Sequence, residues 1–116
     1  MNDTQVENIY LQKLPIPSAK GTVFVNYTDI IYLEADSNYT NIYGINGFKI
    51  RSSYTLKIFQ EKLPANQFVR CHSSVLINIS FIFKINKKDK VCTLMAENEI
   101  SVPISRKGMQ LLDKFL

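Results

Sequence analysis

Tryptophan is absent from the 116 residues, histidine occurs once and cysteine twice. With His72 alone and no Cys-x-x-Cys pair, the chain lacks the donor set of a zinc site. No cofactor is expected. Cys71 and Cys92 are too few for a disulfide scaffold. They read as two small buried apolar residues of a reducing compartment, with one cross-strand disulfide as the alternative. Long hydrophobic runs are also missing: nothing approaches the roughly 18 apolar residues of a membrane span. No charged-then-apolar leader opens the chain. The expectation is a single soluble, cytoplasmic domain that does not engage a membrane.

Hydrophobic residues make up 46% of the chain and charged residues 21%, which suffices for a packed core and argues against disorder. Fourteen Lys and Arg against ten Asp and Glu leave +4, a balance compatible with an anionic partner. Catalysis is not expected. The one nucleophile-base juxtaposition, Cys71-His72, lies in Phe68-Val69-Arg70-Cys71-His72, which reads as a strand. Adjacent side chains on a strand point to opposite faces, so thiol and imidazole diverge.

Most of the chain has the texture of short strands. Residues 1–20 read as an arm or linker, polar at its start and interrupted by Pro15 and Pro17, with residues 21–116 as the domain. Strands are expected at Thr22–Val25, Ile30–Ala35 and Tyr39–Tyr43, with a turn at Asp36-Ser37-Asn38. Asn46-Gly47 signals a hairpin before Phe48-Lys49-Ile50-Arg51, whose alternation gives one buried and one wet face. Leu56, Phe59 and Leu63 recur at helical spacing, capped by Ser52 or Ser53 and stopped by Pro64. Strands resume at Phe68–Cys71, Val75–Ile79, Phe81–Ile85, Val91–Ala96 and Ile100–Pro103. The Lys87-Lys88-Asp89-Lys90 tip reads as a solvated hairpin end or an auxiliary phosphate contact. Ser105 caps a short terminal helix, with Met109, Leu112 and Leu116 or Phe115 facing inward. The fold class that follows is mainly β: about ten short strands, one central helix and a short C-terminal helix. Two adjacent helices joined by a tight turn do not occur, so a helix-turn-helix is excluded.

Several segments fall in a recognisable order. Asp29-Ile30-Ile31-Tyr32-Leu33-Glu34-Ala35 is followed by Asn38-Tyr39, Tyr54-Thr55-Leu56 and Leu63-Pro64. Then come Phe68-Val69-Arg70-Cys71-His72-Ser73-Ser74-Val75-Leu76-Ile77-Asn78 and Val102-Pro103-Ile104-Ser105-Arg106-Lys107. This series resembles the LytTR DNA-binding domain over about residues 20–116. The resemblance implies an elongated, sandwich-like arrangement of β-sheets that reads double-stranded DNA through loops. It also implies a bacterial transcription regulator, the output domain of a two-component response regulator with a receiver domain or sensor kinase upstream. Related domains bind as pairs on direct repeats, so a homodimer on DNA is expected.

Three patches then become candidate DNA contacts. Arg106 matches the family's late basic position; its guanidinium can pair with guanine O6 and N7, a geometry Lys cannot copy. Lys107 beside it suits the phosphate backbone. In the Asp36–Asn41 loop, Asn38, Tyr39 and Thr40 offer amide and hydroxyl groups, with Thr40 nearest the family's base-reading position; turn formation alone also explains the segment. The third patch is His72, Ser73 and Ser74. Ser73 stands where the family commonly carries Arg or Lys, so this chain lacks that Coulomb attraction. His72 reads as a hydrogen-bonded residue holding the loop. Arg70 either meets phosphate or pairs with a carboxylate such as Glu34. Ser73 and the uncharged Asn38 loop also motivate an alternative, a β-rich protein-interaction module that has lost base readout. A third reading is single-stranded nucleic-acid binding on exposed aromatic rings.

Overall fold

The computed structural model describes residues 12–116, and the polar start of the expected arm lies outside them. Ten strands and two α-helices are present among the described residues. In chain order they are β1 (Lys13–Ser18), β2 (Gly21–Asn26), β3 (Ile30–Asp36), β4 (Tyr39–Gly44), β5 (Lys49–Ser52) and α1 (Leu56–Lys62). There follow β6 (Phe68–His72), β7 (Val75–Asn78), β8 (Ile82–Asn86), β9 (Val91–Met95), β10 (Glu99–Pro103) and α2 (Arg106–Asp113). The expected mainly-β class is what the chain adopts, in an elongated body of 46 × 34 × 26 Å.

A five-stranded antiparallel sheet, ordered β5-β4-β3-β7-β6, forms the middle layer. Both of its faces are covered. On one side Leu33, Ile42, Phe68 and Leu76 pack with Leu14 and Ile16 of β1 and with Leu56, Phe59 and Leu63 around α1. On the other, Val69, Cys71, Val75 and Ile77 pack with Cys92 and Leu94 of β9, Val102 of β10 and Leu112 of α2. Strand β7 is buried at all four positions because it faces both cores, so its sequence shows no polar alternation. β8, β9 and β10 form the three-stranded sheet of the second side, in the order β10-β9-β8.

The expected linker at Leu14–Ser18 is instead part of β1, paired antiparallel with β2. Leu14 and Ile16 are fully buried while Pro15 and Pro17 alternate with them. A two-stranded sheet tolerates proline because neither strand needs a full set of donors on both edges. Helix α1 begins after Thr55, not at Ser52 or Ser53, and Thr55 makes no side-chain cap. Ser52 is claimed by the sheet, opposite Thr40, and its hydroxyl accepts from the Tyr54 amide at 3.3 Å. Ser105 does cap α2, accepting from the Gly108 amide at 2.9 Å. Leu112 is buried as expected, but Phe115 and Leu116 lie past the helix end and are exposed.

Candidate nucleic-acid interface

Hydrogen bonds between strands decide which loops meet. The β3–β4 hairpin turns through Ser37 and Asn38, with Ser37 in the left-handed region at φ 55°. β7 runs antiparallel to β3, so the Ser73-Ser74 turn before β7 emerges beside the end of β3. The Ala35 amide donates to the Ser74 carbonyl at 2.9 Å and joins the two turns. From the other side, the Ser105 amide donates to the Cys71 carbonyl at 2.9 Å, and α2 starts against the end of β6. The Asn38, Ser73 and Arg106 patches, far apart in sequence, thus line one end of the fold.

At α2, Arg106 and Lys107 are exposed in the first helical turn. Cations there oppose the positive end of the helix dipole, a small cost that an anionic ligand would offset. Neither side chain forms an ion pair among the described residues, where the salt bridges join Arg51 to Asp36 and Lys87 to Asp113. Lys87 of the charged hairpin tip is therefore engaged with the C-terminal end of α2.

The Ser73-Ser74 turn is held from inside. Arg70 donates to the carbonyls of His72 and Ser73 and to Oε1 of Gln60, the last at 2.8 Å. It meets neither Glu34 nor any other carboxylate among the described residues, and partial burial lowers its pKa from the ordinary guanidinium value. The expected carboxylate partner is replaced by loop carbonyls and Gln60, which make Arg70 a brace of this turn. His72 Nδ1 lies 2.9 Å from Ser74 Oγ and accepts from the Ser74 amide at 3.1 Å, so His72 and Ser74 lock the turn. Ser73 is left exposed. Between this turn and α2 lies a cleft of about 340 Å³, lined by Arg70, His72, Ser73, Ser105 and Lys107 together with Gln60 and Leu111.

The Asn38 loop divides differently from expectation. Asn38 and Tyr39 are exposed, but Thr40 is fully buried and donates its hydroxyl to the Tyr54 carbonyl at 2.7 Å. Thr40 is a structural tie, since strand alternation after Tyr39 turns it into the core. Arg51, which sequence reasoning placed only on a wet strand face, stands over the Tyr39 ring at 4.4 Å and pairs with Asp36 at 2.7 Å. Its signal was the register: β5 follows β4 closely, placing Arg51 opposite Asn41 at the same sheet end. Gly108 was also missed, because only the docking of α2 against Cys71 leaves no room for a side chain there.

Cys71 and Cys92 are free and buried, as the reading of two apolar core residues required. Burial pushes their thiols up to about 12 and about 11. His72, on the other side of β6, does not bond the Cys71 sulfur, whose hydrogen-bond partners are the Val75 and Pro103 carbonyls.

The family model of the LytTr DNA-binding domain matches residues 20–116. The chain belongs to the LytTr DNA-binding domain family. It is 28% identical over 99 residues to the CO-responsive transcriptional regulator RcoM of Rhodospirillum rubrum, covering 84% of this chain and 42% of that protein. Over 105 residues it is 28% identical to the sensory transduction protein LytT of Bacillus subtilis, covering 90% of this chain and 43% of LytT. The chain thus spans less than half the length of these relatives. Its fold is similar to the LytTr DNA-binding domain of a Bacillus cereus protein described as a methyl-accepting/DNA response regulator. That match has a TM-score of 0.72 at 25% identity and covers 89% of this chain and 94% of the other. This LytTr domain is a DNA-binding domain.

Proposed function

We propose that this LytTr domain is the DNA-reading unit of a bacterial transcription regulator and binds duplex DNA with the end that carries Asn38, Ser73 and Arg106. Arg106 reads a base edge in the major groove. Lys107 neutralises backbone phosphate, and Ser73, Asn38 and Tyr39 contribute neutral hydrogen bonds along the same stretch. His72, Ser74 and Arg70 act from behind by fixing the loop, and no chemical step is catalysed. The observation that carries the reading is an exposed Arg106 with no carboxylate partner among the described residues, on a helix start fastened to the β6–β7 turn. Membership of a DNA-binding family favours this reading over a protein-interaction module.

Because relatives named as transcriptional and sensory proteins are more than twice as long, we assign the switch to a domain outside this chain, a receiver or sensor acting in the cytoplasm. Such a switch would dimerise two copies on direct repeats and raise their effective concentration on DNA.

Selection from random duplexes followed by anisotropy titration tests the reading. Arg106→Ala should lose about 1–3 kcal/mol of discrimination while the fold persists. Undiminished preference in that variant would remove Arg106 as reader. Absence of duplex binding at low salt would favour protein interaction, and stronger binding to single strands would favour base stacking.

A further inference from the structure

The acidic residue of the Asn38 loop poses a problem for the proposed interface: Asp36 should repel a DNA backbone. Its partner resolves this. Arg51 donates from Nη1 to Asp36 Oδ2 at 2.7 Å and reaches Asn41 Oδ1 at 3.4 Å. Its guanidinium also lies over the Tyr39 ring at 4.4 Å. Both members of the pair are about half exposed, at 49% and 51%, so neither is sealed in the core. Beside them is a second cleft, of about 330 Å³, lined by Pro17, Ser18, Ala19, Tyr39, Arg51 and Ser53. Lys20 follows directly in the β1–β2 turn, which the Ser18 hydroxyl holds by donating to the Gly21 carbonyl at 2.7 Å. A stacked arginine, a neighbouring lysine turn and an open cleft thus sit next to the Asn38 loop, on the side away from Arg106.

From this arrangement we infer that Arg51 is a backbone-phosphate contact that Asp36 holds in reserve, with the Tyr39-flanked cleft as the phosphate seat. The inference rests on the DNA-facing assignment of this end. Without DNA, the carboxylate neutralises the guanidinium and keeps it stacked on Tyr39. On a duplex, the phosphate oxygen takes over the Arg51 donors and Asp36 is released to water. Stacking survives the exchange, because the ring holds the guanidinium plane while its edge changes acceptor. Asp36 therefore weakens binding to every sequence alike and keeps a modestly basic domain from adhering to arbitrary DNA.

Opposite signs in two substitutions test this. Affinity for a random-sequence duplex is measured by anisotropy as a function of salt for the whole chain, Arg51→Gln and Asp36→Asn. Arg51→Gln should weaken binding roughly five- to tenfold and lower the slope of log K against log salt by about 0.9, leaving relative preference among sequences unchanged. Asp36→Asn should tighten binding by a similar factor, and adding Arg51→Gln should abolish that gain. If the pair only props the hairpin, both substitutions weaken binding together, and the inference fails. An unchanged slope in Arg51→Gln also overturns it, while leaving the Arg106 interface standing. If the unsubstituted chain binds no duplex, this inference and the DNA-facing assignment fall together.

Discussion

Gly108 presses its α-carbon against the backbone of Cys71, so closely that a side-chain carbon at position 108 would overlap the Cys71 carbonyl. That same carbonyl accepts the Ser105 amide, so the first turn of α2 is mounted on the last residues of β6. Because that overlap is with backbone, Gly108→Ala must push the start of α2 away from β6 and should cost about 3 kcal/mol or more. Lys107 then leaves the cleft it shares with Ser73, and Arg106 moves with it. Denaturant unfolding read together with operator affinity checks this: affinity should fall even at temperatures where the variant is fully folded.

Thr40 and its neighbour Tyr39 should separate cleanly. Thr40→Val leaves the Tyr54 carbonyl without its hydroxyl donor in a partly buried site and should cost about 1 kcal/mol of stability. Operator preference should not change, because the side chain never reaches the surface. A change in the selected sequence for the folded variant would contradict the inward placement.

Arg70 should behave as a brace and not as a phosphate ligand. Arg70→Lys keeps the charge but not the fork that spans the His72 and Ser73 carbonyls and Gln60. DNA affinity should drop while the salt slope stays the same, since no phosphate contact is lost. A slope reduced by about one would place Arg70 on the backbone instead.

The two thiols predict alkaline sensitivity. Both are raised above the ordinary thiol value by burial, Cys71 to about 12 and Cys92 to about 11. The unfolded chain loses these protons first as pH rises, so their stabilising contribution is complete below about pH 9. It is then lost progressively toward the folded values. Unfolding at pH 8 and pH 10.5 should show the lower midpoint at pH 10.5. A thiol reagent at pH 8 should label neither cysteine until denaturant is added.

Asn78 should be among the most sensitive polar positions. Its fully buried amide donates to the Ile30 carbonyl at 2.9 Å and the Tyr27 carbonyl at 3.3 Å, while its oxygen accepts from Ser80 at 2.9 Å. Asn78→Asp keeps the shape but removes the donors and sets a carboxylate beside two carbonyls. A loss of about 2–3 kcal/mol or more is expected by thermal unfolding.

Local chemistry fixed much of this protein in advance. Alternation in Phe48-Lys49-Ile50-Arg51, the Asn46-Gly47 turn, the Leu56/Phe59/Leu63 spacing and the Ser105 cap each follow from rules that act within a few residues. The ordered series from Asp29 to Lys107 carried the resemblance to the family whose model matches residues 20–116. Proline misled at Leu14–Ser18, because the prohibition applies to central strands and β1 belongs to a two-stranded sheet. What no local rule contains is which loops share an end. That depended on β7 pairing with β3 across more than forty residues, and on α2 docking against β6 across thirty-four. Side-chain direction was decided there too: core packing turned Thr40 inward, loop carbonyls captured Arg70, and register brought Arg51 to Asp36. These are contests between partners distant in sequence, settled by burial and hydrogen-bond geometry once the sheets assemble.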